Sequence, residues 1–197
     1  MKVKEIIKSV ALLIGDSELH EYVESKTGRG RVETEYNNLL TMVNLVVNET
    51  SAYIPIFYEE EINTSSGKVY YSTLQKKIIK VYDVYNEKGE SLKFINRLDY
   101  LEVDSEAKCI KYSFVPDTLT ENSEIPFAEK TVSSSVIVYG VTANYCIYQN
   151  RFDEASLWNE RYANSIKNLV LTLEAENVEE TNVKEVKNAI VKGRNFL

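Results

Sequence analysis

The chain has 197 residues and a single imidazole, His20, so any catalytic triad, two-histidine metal site or imidazole base would have to be built on that ring. It stands between Leu19 and Glu21 with no nucleophile nearby in sequence, and reads as a solvated surface residue. The two cysteines, Cys109 and Cys146, lack the CxxC spacing of a metal knuckle or redox pair, and no histidine lies near either. Both read as reduced structural thiols. Paired carboxylates could act as acid and base, but Glu59-Glu60-Glu61 alternates faces at a strand start and Glu179-Glu180 falls in a charged connector. Solvated charge is the reading for both. No phosphate-cradling loop, dinucleotide fingerprint, nucleophile elbow or HExxH helix is present, and the glycines Gly28 and Gly30 are too sparse to hold phosphate. The expectation is a non-enzyme without cofactor or metal.

Hydrophobic periodicity defines the elements behind these residues. Val3, Ile6, Ile7, Val10, Ala11 and Ile14 recur at helical spacing, and Gly15 ends the stripe. Asp16 or Ser17 can cap a second short helix to about Ser25, and a glycine-bearing loop follows. A third helix, from about Val32 to Ser51, places Tyr36, Leu39, Leu40, Val43, Val46 and Val47 on one face, and Pro55 stops it soon afterwards. The period then changes. Residues 58–73 read as two strands joined at Thr64–Gly67, Ile78–Tyr85 pairs with Ser91–Ile95 across Asn86–Gly89, and Tyr100–Val103 pairs with Lys108–Val115. In the last strand Ile110, Tyr112 and Phe114 alternate with Cys109, Lys111 and Ser113, one buried face and one wet. These hairpins predict an antiparallel sheet of about six strands curled on itself.

Residues 116–130 are acidic, hold Pro116 and Pro126, and read as an exposed loop. From Ser133 the helical period returns, with Ile137, Val141, Asn144, Tyr145 and Tyr148 on one stripe and Gly140 and Ala143 leaving room for another backbone. After Gln149–Asp153, a second helix carries Ala155, Trp158, Tyr162, Ile166, Leu169 and Leu173, and so short a connection makes the pair antiparallel. Trp158 reads as core. Past Glu174 an acidic run gives way to a basic end with Val183, Val186 and Ile190 at helical spacing, then Phe196 and Leu197. That makes an amphipathic arm, 174–197, awaiting a partner. The predicted class is α+β: a helical bundle (1–51 and 133–173) with an inserted antiparallel β region (56–116) and the arm.

Lys and Arg number 23 against 30 Asp and Glu, a formal charge of -7 that disfavours duplex wrapping, since nucleic-acid affinity comes mainly from neutralising phosphates. Apolar stretches such as Val10–Ile14 are too short to span a bilayer, and the N-terminus lacks the order of a signal peptide. A soluble intracellular product without membrane contact is expected. The 14 Tyr suit half-buried strands and interfaces. One reading that follows is a non-enzymatic intracellular binding module taking a peptide or oligosaccharide on Tyr82, Tyr85 and Tyr112.

A second reading comes from the two C-terminal helices. The string Val136-Ile-Val-Tyr-Gly140-Val-Thr-Ala143-Asn-Tyr145-Cys146, then Phe152-Asp-Glu-Ala155-Ser-Leu-Trp158-Asn-Glu-Arg161-Tyr162, resembles the paired helices of head-tail adaptor proteins of tailed phages and prophages, also called head-completion or connector proteins. A Gly- and Ala-containing helix leads into a Tyr-Cys pair, followed by a Glu-Ala step and a Trp-x-x-x-Tyr helix, in that family's order. The turn at Ser66–Tyr71 adds a further likeness, and the arm after Glu174 matches by position alone. The resemblance implies a structural virion protein of the neck, present in host cytoplasm during assembly. It implies a homo-oligomeric, dodecameric ring beneath the portal protein, a tail or second neck protein as further partner, and DNA passing through the lumen without specific binding. Gly140, Tyr145, Ala155, Trp158 and Tyr162 would then form the structural helical pair, and Val183, Val186, Ile190, Phe196 and Leu197 the partner-binding arm.

Overall fold

Helix α1 (Val3–Ile14) buries Val3, Ile6, Ile7, Val10 and Ala11, the stripe its periodicity predicts. It closes at Gly15, whose φ of 74° lets Gly15 N–H return to Leu12 and Asp16 N–H to Ala11, a left-handed cap that a Cβ would strain. Asp16 then accepts the Leu19 N–H at 2.9 Å and starts α2 (Ser17–Ser25). Helix α3 (Arg31–Tyr53) ends at Ile54, because the proline that follows bars Ile54 from helical geometry. The computed structural model describes residues 1–28, 30–64, 66–128 and 131–193, with side chains described through Leu173 and at Ala175.

Helices α4 (Ser134–Tyr148) and α5 (Phe152–Gly193) form the predicted antiparallel pair across a turn in which Asn150 takes φ 59° and Arg151 N–H donates to Cys146. Helix α5 continues unbroken past Glu174 to Gly193. The side chains of Val183, Val186 and Ile190, and the whole of Phe196 and Leu197, lie outside the described residues. All five helices contribute to one hydrophobic cluster, in which Leu39, Val43, Val46, Ile137 and Val141 are fully buried.

Residues 116–128 are not the exposed loop their composition suggests. They lie along the helical body with Pro116, Ile125 and Phe127 buried. The cause is the start of α1, whose first N–H groups have no intrahelical partner. Val3 and Lys4 donate to the carbonyls of Ser123 and Glu121 at 3.0 and 3.1 Å, and Ile125 N–H donates to the Met1 carbonyl at 2.9 Å. Asn44 fixes the same segment from α3, accepting from Leu119 N–H at 2.7 Å and donating to its carbonyl at 3.1 Å.

Six strands follow α3: β1 (Phe57–Glu61), β2 (Lys68–Tyr70), β3 (Ile78–Asn86), β4 (Phe94–Asn96), β5 (Tyr100–Val103) and β6 (Ala107–Phe114). Among the described residues they form two three-stranded antiparallel sheets, ordered β1-β6-β3 and β2-β5-β4, and no closed barrel. The predicted pairings of β1 with β2 and of β5 with β6 are therefore overturned, and the predicted Ile78–Tyr85 with Ser91–Ile95 hairpin closes around its turn alone. Strand β1 pairs with β6 and β2 with β5; β3 meets the segment after it around the turn, through the Tyr85–Ser91 bridge, the Leu92 N–H donating to the Val84 carbonyl at 2.8 Å and the Asn86 N–H donating to the Glu90 carbonyl at 3.1 Å; β5 and β6 lie in different sheets. Alternation names the buried face of a strand but not its neighbour. Burial decides the split here: Val69 and Leu101 of one sheet join Val81, Val84, Ile110 and Tyr112 of the other in a single apolar cluster, which requires two facing layers. Phe57 opposes Ser113 in register, and Phe114 N–H donates to the Ile56 carbonyl, so the chain enters and leaves the β region side by side.

Candidate functional site

Gly140 marks the closest approach in the helical body. A Cβ there would lie 2.8 Å from Val46 Cγ1 and 3.2 Å from the Tyr162 ring, so only glycine lets α4 settle between α3 and α5. Tyr162 is buried, its hydroxyl hydrogen-bonded with Thr50 Oγ1 at 3.1 Å, and burial pushes its phenol pKa up. Tyr145 is buried on the same helix as Gly140 and accepts from the Gln149 amide at 3.2 Å, while Ala155 is buried at the start of α5. Gly140, Tyr145, Ala155 and Tyr162 are thus all buried in the helical body. Trp158 differs. It is half-buried, stacked on Tyr139 at 5.7 Å between ring centroids, with the Arg161 guanidinium 4.9 Å over its open face. Its partner on α4 is itself only half-buried, which leaves the indole on the flank of the pair and outside the core.

The residues that could do chemistry are not gathered. His20 is partly exposed on α2. Cys146 is fully buried in α4 and Cys109 half-buried in β6, and burial pushes both thiols up, away from the reactive thiolate. Among the described residues, no group of histidines, cysteines and carboxylates could hold a metal ion.

The reading of Glu59–Glu61 as solvated charge fails at its middle member. Glu60 points inward with Tyr58 and Ile62, where it accepts the Gln75 N–H at 3.1 Å and the Tyr112 hydroxyl at 3.2 Å. Glu59 stays outside and pairs with Lys111 at 3.4 Å. Tyr112 is fully buried and burial pushes its pKa up to about 12, so it cannot belong to a Tyr-lined binding surface. Tyr82 does face solvent, edge-to-face with Phe57 at 4.8 Å, and Tyr85 is half-buried.

No protein-family model and no curated protein sequence matches this chain.

Two surfaces emerge that the sequence alone does not delimit. The first is the outer face of the second sheet. Val69 and Leu101 point inward, so their neighbours Lys68, Tyr70, Tyr100 and Glu102 point outward, and Ile95 lies opposite Glu102 on that face. Tyr70 and Tyr100 have ring centroids 5.7 Å apart. The second is an open groove of 590 Å³ between the end of α3 and α5, walled by Tyr53, Ile166, Val170 and Leu171. Strand alternation hints at the first, but its extent depends on the β2–β5–β4 register. The groove depends on where two helices diverge, which periodicity does not encode.

Proposed function

We propose that this chain is a structural subunit of the neck of a tailed phage or prophage, forming a ring beneath the portal protein and joining head to tail. The observation that carries the reading is the place of its recognisable string in three dimensions. Gly140 and Tyr162 lie where α3, α4 and α5 meet, with Tyr145 and Ala155 buried in the same pair of helices, and this central position of the string supports the reading. A head-to-tail ring needs two different patches on each copy, and the outer face of the β region and the helical groove are such a pair. The formal charge of -7 suits a lumen through which DNA slides without the counterion release that holds it to basic surfaces.

Negative-stain microscopy of the protein mixed with its portal tests this reading directly. Extra ring density beneath the portal is the expected result; a chain that stays monomeric and adds no density would end it. A second reading, a binding module for a peptide or oligosaccharide, draws on the exposed Phe57–Tyr82 pair with Lys111 and Lys80 set 5.2 and 5.0 Å over the rings. Loss of a titratable ligand in Tyr82→Ala, with folding intact, would favour it.

A further inference from the structure

The most exposed large apolar side chain among the described residues is Leu98, at 93%. It stands at the tip of the β4–β5 hairpin between Arg97 and Asp99. The tip is held in shape: Arg97 N–H donates to the Tyr100 carbonyl at 2.9 Å, the Asp99 carbonyl accepts the Tyr71 N–H at 3.1 Å, and the Arg97 guanidinium meets Glu102 at 3.0 Å. A leucine presented on so ordered a support needs little further ordering to bind, which is what a docking knob requires. Single exposed leucines are common, and this one matters because of what surrounds it and what could receive it. Ile95, Tyr70 and Tyr100 continue an apolar and aromatic face from the tip across the sheet, fringed by Lys68, Arg97 and Glu102. An apolar centre rich in tyrosine with a charged rim is the composition of a protein interface.

The groove between α3 and α5 complements it. Its walls are apolar, with Tyr53 and Leu171 about half exposed, and its rim carries Glu49 and Lys167. Neither rim charge forms an ion pair with a described residue. The tip carries Arg97, paired within its own hairpin with Glu102, and Asp99 on either side of the leucine; the groove carries Glu49 and Lys167 beside an apolar trench. Entry that brings Asp99 toward Lys167 sets opposite charges together, and entry that brings it toward Glu49 sets like charges together, so the charges also favour one orientation.

We propose that the groove is occupied by the Leu98 tip of a second copy of this chain. Knob and groove lie on different elements, so every copy gives one and receives one, the heterologous contact from which closed rings or open filaments grow. The inference deepens the neck reading and rests on its premise of self-assembly, naming the contact that joins neighbours. The leucine alone is too small for a stable interface, and the outward tyrosines and Ile95 supply the remaining area against the helical face.

Sedimentation velocity over a concentration series provides the test, using the full chain, Leu98→Asp and Leu171→Asp. Both substitutions fall on exposed positions, and matching thermal midpoints confirm folding. The wild type is expected to self-associate, and each variant to do so about 30-fold more weakly or worse, the scale of a central interface residue. The two variants mixed together are expected to form a one-to-one dimer and nothing larger, because between them they retain one intact knob and one intact groove. A wild type that remains monomeric, a variant that associates normally, or a mixture that stays monomeric each overturns the contact. Portal binding by the wild type, measured in parallel, separates the two proposals: a monomer that still docks on portal removes this contact and leaves the neck reading standing.

Discussion

Gly140 and Tyr162 meet where three helices converge, and two opposing effects can be weighed there. Inside a helix glycine is worse than alanine by about 1 kcal/mol, so Gly140→Ala would strengthen α4 in isolation. In the folded protein the added methyl would sit 2.8 Å from Val46 Cγ1, and overpacking a core costs about 1–3 kcal/mol. Overpacking should win, and urea denaturation is expected to show Gly140→Ala less stable than wild type by about 1 kcal/mol. In the β region the residue to watch is Tyr112. Its ordinary pKa is about 10, and burial pushes it up to about 12, so the folded state favours the neutral ring. That contribution is fully present below pH about 10 and is lost as pH rises toward 12, for a total of about 3 kcal/mol. Tyr112→Phe should be less stable at neutral pH, since Glu60 loses a donor, yet show a shallower alkaline decline in denaturation midpoints between pH 9 and 12.

The helices show why some elements were legible in the sequence and others were not. Helix α1 could be read from its first residue to its glycine cap because one apolar stripe and one cap residue specify it locally. Strand β6 was legible as to its faces, yet its neighbours were not, since pairing is settled by which surfaces close a common core far away in sequence. The segment 116–128 was misread because its role is carried by backbone carbonyls, which composition does not report. Trp158 was misplaced for a related reason: helical spacing put it on the α4-facing side, but the depth of burial depends on Tyr139, itself at the flank. Its truncation should accordingly cost less than the 3–5 kcal/mol of a buried tryptophan; about 2 kcal/mol is expected for Trp158→Ala by chemical denaturation. For α5, deletion of residues 183–197 is expected to leave thermal unfolding unchanged while weakening attachment to portal in a pull-down. Undiminished portal binding by the truncated chain would remove the arm from the docking surface.

At the scale of the whole molecule, the described residues divide into two hydrophobic cores. The helical core takes residues up to Ile56 and again from Leu119, and none from the stretch between, which fills the core of the β region instead. Because Phe57 and Ser113 are direct neighbours, residues 57–114 can be replaced by a short Gly-Ser linker without pulling the helices apart. The helical remnant is expected to fold, with its helical circular dichroism retained and a cooperative thermal transition. Loss of both would show that the sheets support the bundle.

The side-by-side entry and exit of the β region also bears on ancestry. A cassette whose two ends touch can be exchanged whole between genomes, or can drift beyond recognition, while the helices around it stay under the constraints set by contacts such as Gly140 with Val46 and Tyr162. If copies join as proposed, the Leu98 tip would travel with the cassette and the groove would stay behind. Each exchange would then break that fit between copies until tip and groove were matched again.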